Sequence, residues 1–311
     1  MSRPREDGIV IGPFEPGLRN SIADTGATVG HVTVEVTGVT AIVPPLLPAP
    51  AGVAVLNGAG ELTGAHEIRE WGLLETPVYL TSTHAVGRVY DGAVQVALAA
   101  DERVGVTDVV IPVVGECDDS WLSDARVSHV QSADVATAVA GAALDFERGA
   151  VGAGAGMSCF GWKGGIGSSS RCVGDHSVGV LLLTNFGVPE QLRVNGAAAG
   201  VVPPDYRRKA AGSCIGVVAT DAPLSPQDLE RLARRVGLGL ARAGSVAHHG
   251  SGEIFMAFAT SDERSLRGRA LDGLFQATVD ASEEAVLDSL WAAVDTTGRD
   301  GRTVYAFPRG T

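Results

Sequence analysis

The stretch Ala211-Gly212-Ser213-Cys214-Ile215-Gly216-Val217-Val218-Ala219-Thr220 joins two kinds of chain. Upstream, Val201 to Lys209 carries two prolines and four charges, which oppose regular pairing and favour water, so it reads as an exposed loop. From Ser213 the chain turns short, apolar and partly β-branched, as a buried strand would be, until Asp221-Ala222-Pro223-Leu224 ends it. Ser213 therefore stands where a loop meets a sheet. It follows a glycine whose missing Cβ leaves the carbonyl open to attack. An N-to-O acyl shift onto the Ser213 hydroxyl, then hydrolysis of the ester, would free the Ser213 α-amine. The ordinary pKa of that amine, about 7.7 to 8.0, suits it to act as a base near neutrality. A Gly-Ser pair alone is ordinarily a turn, and the rest of the chain has to decide.

Composition sets wide bounds. With 311 residues, 45% of them hydrophobic, the chain can bury a large core as one domain, and no linker divides it. The net charge is −12, and the 24 basic residues form no stripe with interleaved aromatics, so nucleic-acid binding has no electrostatic footprint. No uncharged apolar run reaches membrane-spanning length, and the polar start Met1 to Asp7 lacks the apolar core of a leader. These features predict a cytoplasmic protein with no membrane partner. Cys117, Cys159, Cys172 and Cys214 show neither CxxC pairing nor matching histidine spacing, which predicts no disulfide framework and no metal.

Periodicity predicts an α/β arrangement of layered strands and helices. The strand candidates are 31–36, 53–56, 78–81, 104–110, 178–183, 215–220, 254–259 and 303–306. Helical spacing appears over 85–100 and 133–146. Ser225-Pro226 opens a helix through 229–243, with serine as the cap and proline at the first position. Ser282-Glu283-Glu284 reads as the start of a helix that runs to about Val294.

Several separated segments resemble one family, the DmpA-type aminopeptidases of peptidase family S58, which include the β-aminopeptidases and are N-terminal nucleophile hydrolases. The blocks that carry the resemblance are Pro16 to Asp24, Val29 to Val34, Gly38 to Pro45, Leu56 to Gly64, Leu74 to Thr83, Gly152 to Gly167, Thr184-Asn185-Phe186-Gly187, Gly212 to Leu224 and Gly250 to Phe258. The resemblance runs nearly end to end. It implies a four-layer αββα sandwich, which periodicity alone does not reach. It also implies autoprocessing between Gly212 and Ser213 into chains 1–212 and 213–311 that stay in one folded unit.

The same resemblance assigns roles. Ser213 would be the nucleophile of both self-cleavage and substrate acylation, and Asn185 would donate to the developing oxyanion. Ser251 and Glu253 lie two apart at the start of an apolar strand, so period-two geometry puts both on one face; by resemblance they orient and activate the nucleophile. Glu116 corresponds to a glutamate that grips the substrate's free amine. Asp118 departs from the pattern, since it stands where relatives carry an aromatic that assists the oxyanion. Trp121 or a backbone amide is then the substitute. The implied activity is release of N-terminal residues from small peptides, amides or esters, without a cofactor, by a homo-oligomer, namely a tetramer of processed units.

Other readings remain open at this stage. An acyltransferase of the ornithine acetyltransferase type shares the implied fold and self-cleavage, as do nylon-oligomer hydrolases, but both use a threonine where this chain has Ser213. An unprocessed, non-catalytic relative is the third. Gly152-Ala153-Gly154-Ala155-Gly156 is not a dinucleotide fingerprint, because its third glycine arrives one residue early. His248-His249 lacks further ligands at useful spacing, and Lys163 in the glycine-rich block has no role that the sequence defines.

Overall fold

Strands buried on both faces need an apolar residue at nearly every position, and Ile215-Gly216-Val217-Val218-Ala219 meets that condition. In the computed structural model, which describes residues 2–204, 206, 212–261, 266 and 268–309, the strand Gly212–Thr220 lies inside a six-stranded sheet. The order of that sheet is Leu73–Leu74, Ala49–Gly58, Ser251–Ala259, Gly212–Thr220, His176–Asn185 and Gly165–Val173. A four-stranded sheet faces it, ordered Thr28–Val34, Thr37–Val43, Val78–Ser82 and Val113–Cys117. The helices among the described residues are α1 (Ala65–Trp71), α2 (Val86–Ala100), α3 (Ser132–Ala140), α4 (Pro226–Arg242) and α5 (Leu271–Trp291).

Alternation along the strands sorts side chains into three cores. Ile215, Val217 and Ala219 meet Leu181, Leu183, Ile254, Met256 and Phe258, together with Ile42, Val78 and Val113 of the facing sheet, in the layer between the sheets. Cys214, Val218, Leu182 and Phe255 point the other way, onto Leu232 and Val236 of α4 and Val286 of α5. Val39, Tyr79 and Val114 cover the outer face of the smaller sheet and pack on Val89 of α2 and Val135 of α3. The result is the αββα sandwich that the sequence implied. Close approach depends on small residues: a Cβ at Gly167 would lie 1.9 Å from the Ala285 carbonyl of α5, and one at Gly52 would lie 2.3 Å from Glu230 N of α4.

The structure corrects three elements. Residues 104–110 form a turn, not a strand: Gly105 has φ +80, the amides of Val106, Thr107 and Asp108 all return to Arg103 O, and Val106 and Val109 are 81% and 76% exposed. The strand is the next β-branched run, Val113–Cys117. The helix expected over 133–146 stops at Ala140, because the chain beyond Gly141 turns to pair Ala143 with Val29. Ser282-Glu283-Glu284 lies buried in the middle of α5 rather than at a helix start. There Glu284 meets Arg171 at 2.6 Å and Arg5 at 3.2 Å, and Glu283 meets Arg242 at 2.7 Å. Asp288, one turn on, pairs with Arg148 and with Arg3, so residues 3–5 are strapped across α5. The helix from Ser225 forms as read, with the Ser225 hydroxyl accepting from Asp228 N at 3.2 Å. Among the described residues, no helix is long and apolar enough to cross a membrane.

His31 is held neutral under the glycine-rich segment. Its Nε2–H donates to Glu147 O at 3.0 Å, and its Nδ1 takes the Thr40 hydroxyl at 2.9 Å; that hydroxyl in turn accepts from Ala153 N. Burial lowers the imidazole pKa to about 4. The unfolded chain binds this proton near pH 6.5, so the contribution of His31 to stability is complete above that value and is lost as pH falls from 6.5 toward 4. Urea unfolding at pH 7 and pH 5 should show a loss of about 2 kcal/mol from this group, and His31→Gln should flatten that part of the dependence.

Candidate active site

Four strand ends converge at one edge of the larger sheet. Gly212–Thr220 runs antiparallel to His176–Asn185 with Ser213 opposite Asn185, and parallel to Ser251–Ala259 with Gly212 opposite Ser251 and Ser213 opposite Gly252. Ala49–Gly58 closes the group by pairing Asn57 with Glu253 and Gly58 with Gly252. Ser213, Asn185, Ser251 and Glu253 are thereby brought together by pairing register alone. All four are buried, Ser213 at 4% exposure and Glu253 at 0%.

Alternation divides the groups between the two faces. Ser213 shares the inter-sheet face with Ile215 and Val217, and its hydroxyl is buried against the Cys117 thiol of the facing sheet, its side-chain hydrogen-bond partner. Ser251 and Glu253 belong to the face that carries Phe255 and Cys214 toward α4. They form one unit, since the Ser251 hydroxyl donates to Glu253 Oε1. Ser251 Oγ is 3.4 Å from where a Cβ on Gly212 would sit. The Gly212-Ser213 peptide therefore has a hydroxyl nucleophile on one side and a hydroxyl–carboxylate pair on the other.

Burial pushes the Glu253 carboxyl above its usual range, opposed by hydrogen bonds from Ser251 and Asn57. No cation stands among these influences. A carboxylate so placed is a stronger base than an exposed one. Burial likewise lifts the thiols of Cys117 and Cys214 well above their ordinary value, which keeps both neutral and poor as competing nucleophiles. Glu116 is also raised by burial, opposed by the Thr83 hydroxyl and the Glu61 amide. Its Oε1 accepts from Glu61 N at 3.0 Å and lies 3.1 Å from the Cβ position of Gly60, which itself packs on Gly252. Glu116 thus stands one residue, Gly60, away from Gly252, the neighbour of Ser213 in the sheet.

Asn185 is fixed at both ends: its Oδ1 accepts from Ser158 N at 3.1 Å, and its Nδ2 donates to Asp118 O at 2.8 Å. Asp118 contributes that carbonyl, while its carboxylate turns back to Ser120 N and Ser120 Oγ and acts on the site only through its charge, which helps to raise the Glu116 pKa. Behind Ser158, the buried Lys163 ammonium donates to the carbonyls of Gly154, Met157 and Gly164 at 2.8 to 2.9 Å. It gathers the glycine-rich segment into the wall that positions Asn185.

A cavity of about 760 Å³ opens onto this edge, lined by Asn185, Gly212 and Ser251, by Trp121, and by Arg302 and Tyr305 of the C-terminal segment. Tyr206 of the loop before Gly212 also lines it. Asp205 and Arg207 to Ala211 of that loop lie outside the described residues. Ser213, Glu253 and Glu116 are not among the cavity walls. Sequence reasoning missed Asn57, which braces Glu253 and donates to His248 O at 2.9 Å, and Ser158, whose contribution is a backbone N–H. It also missed Thr83, whose hydroxyl donates to Glu116. Among the described residues, no three His, Cys, Asp or Glu side chains cluster as a metal site would require.

The sequence pattern of peptidase family S58 matches residues 20–304. The β-peptidyl aminopeptidase BapA of Sphingosinicella microcystinivorans is 37% identical over 360 aligned residues, covering 98% of this chain and 89% of the relative. The PH0078 protein of Pyrococcus horikoshii OT3 superposes with a TM-score of 0.94 at 39% identity, covering 99% of this chain and 97% of that one. The L-aminopeptidase D-Ala-esterase/amidase of Ochrobactrum anthropi, described as a prototype for the serine aminopeptidases with a variant of the Ntn hydrolase fold, does so with a TM-score of 0.92 at 33% identity, covering 99% and 96%.

Lys163→Met would take the ammonium from three buried carbonyls, of which Gly154 O and Met157 O would keep only a long backbone bond, from Met157 N at 3.2 Å and Gly164 N at 3.3 Å. Urea unfolding should show a loss on the order of 3 kcal/mol, whereas an unchanged midpoint would mean that the segment holds its shape without the ammonium.

Proposed function

The chain belongs to peptidase family S58 and is a peptide-bond hydrolase of the aminopeptidase kind, and we propose that it becomes active by cutting itself between Gly212 and Ser213. The observation that carries this reading is the placement of the scissile peptide. A buried Ser213 hydroxyl, met among the described residues only by the neutral Cys117 thiol, stands on one side of it and the Ser251–Glu253 pair on the other.

In the first step Ser213 Oγ attacks the Gly212 carbonyl carbon, and its proton passes to the base while charge gathers on the carbonyl oxygen. Asn185 supplies a side-chain N–H donor for that oxygen. The C–N bond then breaks, the Ser213 nitrogen leaves as an amine, and an ester joins Gly212 to Ser213 Oγ. Water hydrolyses the ester, leaving chain 1–212 with a C-terminal carboxylate and chain 213–311 with a free α-amine. Ser251 and Glu253 then flank the new amine, and the buried carboxylate holds and tunes it.

The processed enzyme repeats the chemistry on substrates. Ser213 Oγ takes the acyl group of a small peptide, amide or ester, the leaving amine departs with a proton, and water releases the acid. Glu116 holds the substrate's own ammonium, which limits the reaction to free N-termini. L-, D- and β-amino acid residues all fall within this class. Every step is carried by side chains of the chain itself. The assembled form is a homo-oligomer of processed units.

Intact mass under denaturing conditions tests the proposal directly. Wild-type protein should give fragments 1–212 and 213–311, and Ser213→Ala should remain full length. Glu253→Gln should slow processing about a hundredfold or more, and the wild-type rate should rise with pH through the raised Glu253 pKa as the base loses its proton. A wild-type chain that stays whole and still hydrolyses amides would sink the self-cleavage reading.

A further inference from the structure

We propose that Arg302 forms a subsite for the C-terminal carboxylate of short peptide substrates, on the leaving-group side of the cavity. The inference rests on the aminopeptidase reading and specifies the substrate class of that same site.

Among the described residues that line the cavity, Arg302 is the one permanent cation and Asp300 the one carboxylate. The remaining wall is largely aromatic or backbone, including Trp121, Phe186 and Tyr305. Glu116, which would hold the substrate's amine, lies outside the cavity. The acyl part of a substrate therefore lies toward Glu116, and the open volume falls to the group that leaves. In a free peptide that group ends in a carboxylate.

Arg302 is arranged to receive one. Its guanidinium stacks over the Trp121 ring, 4.5 Å from the centroid, and its Nη1 donates to Trp121 O at 3.2 Å. The stacked plane and the anchored nitrogen pre-set the fork that matches a carboxylate. Its remaining bond is to Asp300 Oδ2 at 3.1 Å. Asp300 is 61% exposed and shared with Arg299 at 3.4 Å, so this contact is a solvated pair that an incoming carboxylate can replace at small cost. Asp300 also sits at φ +57, a left-handed conformation that asparagine accepts as readily. Asp300→Asn thus removes the competing charge while keeping the turn.

The test uses processed enzyme and a matched pair of substrates, an aminoacyl-leucine with a free carboxylate and the same aminoacyl-leucinamide. The aminoacyl group is the one that wild type releases fastest from a p-nitroanilide. The readout is the ratio of kcat/KM for acid over amide. In Arg302→Met the ratio should fall about tenfold, mainly through KM of the acid, as expected for loss of one charged hydrogen-bonded contact. In Asp300→Asn it should rise. A ratio that stays within twofold of wild type in both variants, or that falls in Asp300→Asn, overturns the subsite while leaving the aminopeptidase reading intact. Should Arg302→Met fail to process, Asp300→Asn alone decides. Processed wild type that hydrolyses neither substrate nor any p-nitroanilide would overturn the aminopeptidase reading and the subsite with it.

Discussion

The pairing of Gly212–Thr220 between one antiparallel and one parallel neighbour is the constraint on which the rest of the molecule depends. It places Ser213 opposite Asn185 on one side and opposite Gly252 on the other. Side chains alternate with a period of two, so a slip of one residue would move Ser213 to the helix-facing side and carry Ile215, Val217 and Ala219 out of the inter-sheet core. Burial of that apolar triplet therefore stabilises the register that aims Ser213, the proposed nucleophile. Catalytic geometry and core packing are not separate achievements here, because one hydrophobic pattern enforces both.

The grouping of Ser213, Ser251, Glu253 and Asn185 was legible through the family resemblance, and the sequence itself marks only that each sits at a strand end. Thr184-Asn185 closes an apolar run, while Ser213 and Ser251 each open one. What remained hidden were contacts made across the fold by groups with no sequence signature. Ser158 acts through a backbone N–H, Asp118 through a backbone carbonyl, and Asn57 through a cross-strand pairing displaced by the irregularity opposite Glu253 and Ile254. The departure at Asp118 looked like the loss of an oxyanion donor. In the fold its side chain is spent on Ser120, and its main chain holds the Asn185 amide, so the substitution alters the exposed turn and leaves the Asn185 anchor in place.

Helix α5 shows why local rules failed elsewhere. A serine followed by two glutamates is chemically a good helix start, since acidic groups favour the first turn. In α5 those same charges are neutralised at long range, Glu284 by Arg171 and Arg5 and Glu283 by Arg242. No window of sequence contains both partners of these pairs. Residues 104–110 failed for the opposite reason. Their valines satisfy the strand pattern, yet Gly105 and the Arg103 carbonyl close a turn before a strand can extend, and the sheet takes Val113–Cys117 instead.

The placement of charge separates structure from chemistry. Arginines 3, 5, 148, 171 and 242 are gathered around the buried acids of α5, and the buried Lys163 is turned onto backbone carbonyls. None of these cations reaches Glu253, whose stabilising partners are a hydroxyl and an amide. An arginine beside Glu253 would hold its pKa low and blunt it as a base. Hydrogen bonds from a hydroxyl and an amide offset only part of the cost of burial, which keeps the proton affinity of the carboxyl high. In a self-cleaving chain, the first cation to arrive beside that carboxylate is the Ser213 ammonium, which only processing creates. Glu253 would then shift from a base poised to accept a proton to the counter-ion of a newly made N-terminus. Such a change follows from desolvation and a single bond cleavage, without any rearrangement of the sheet.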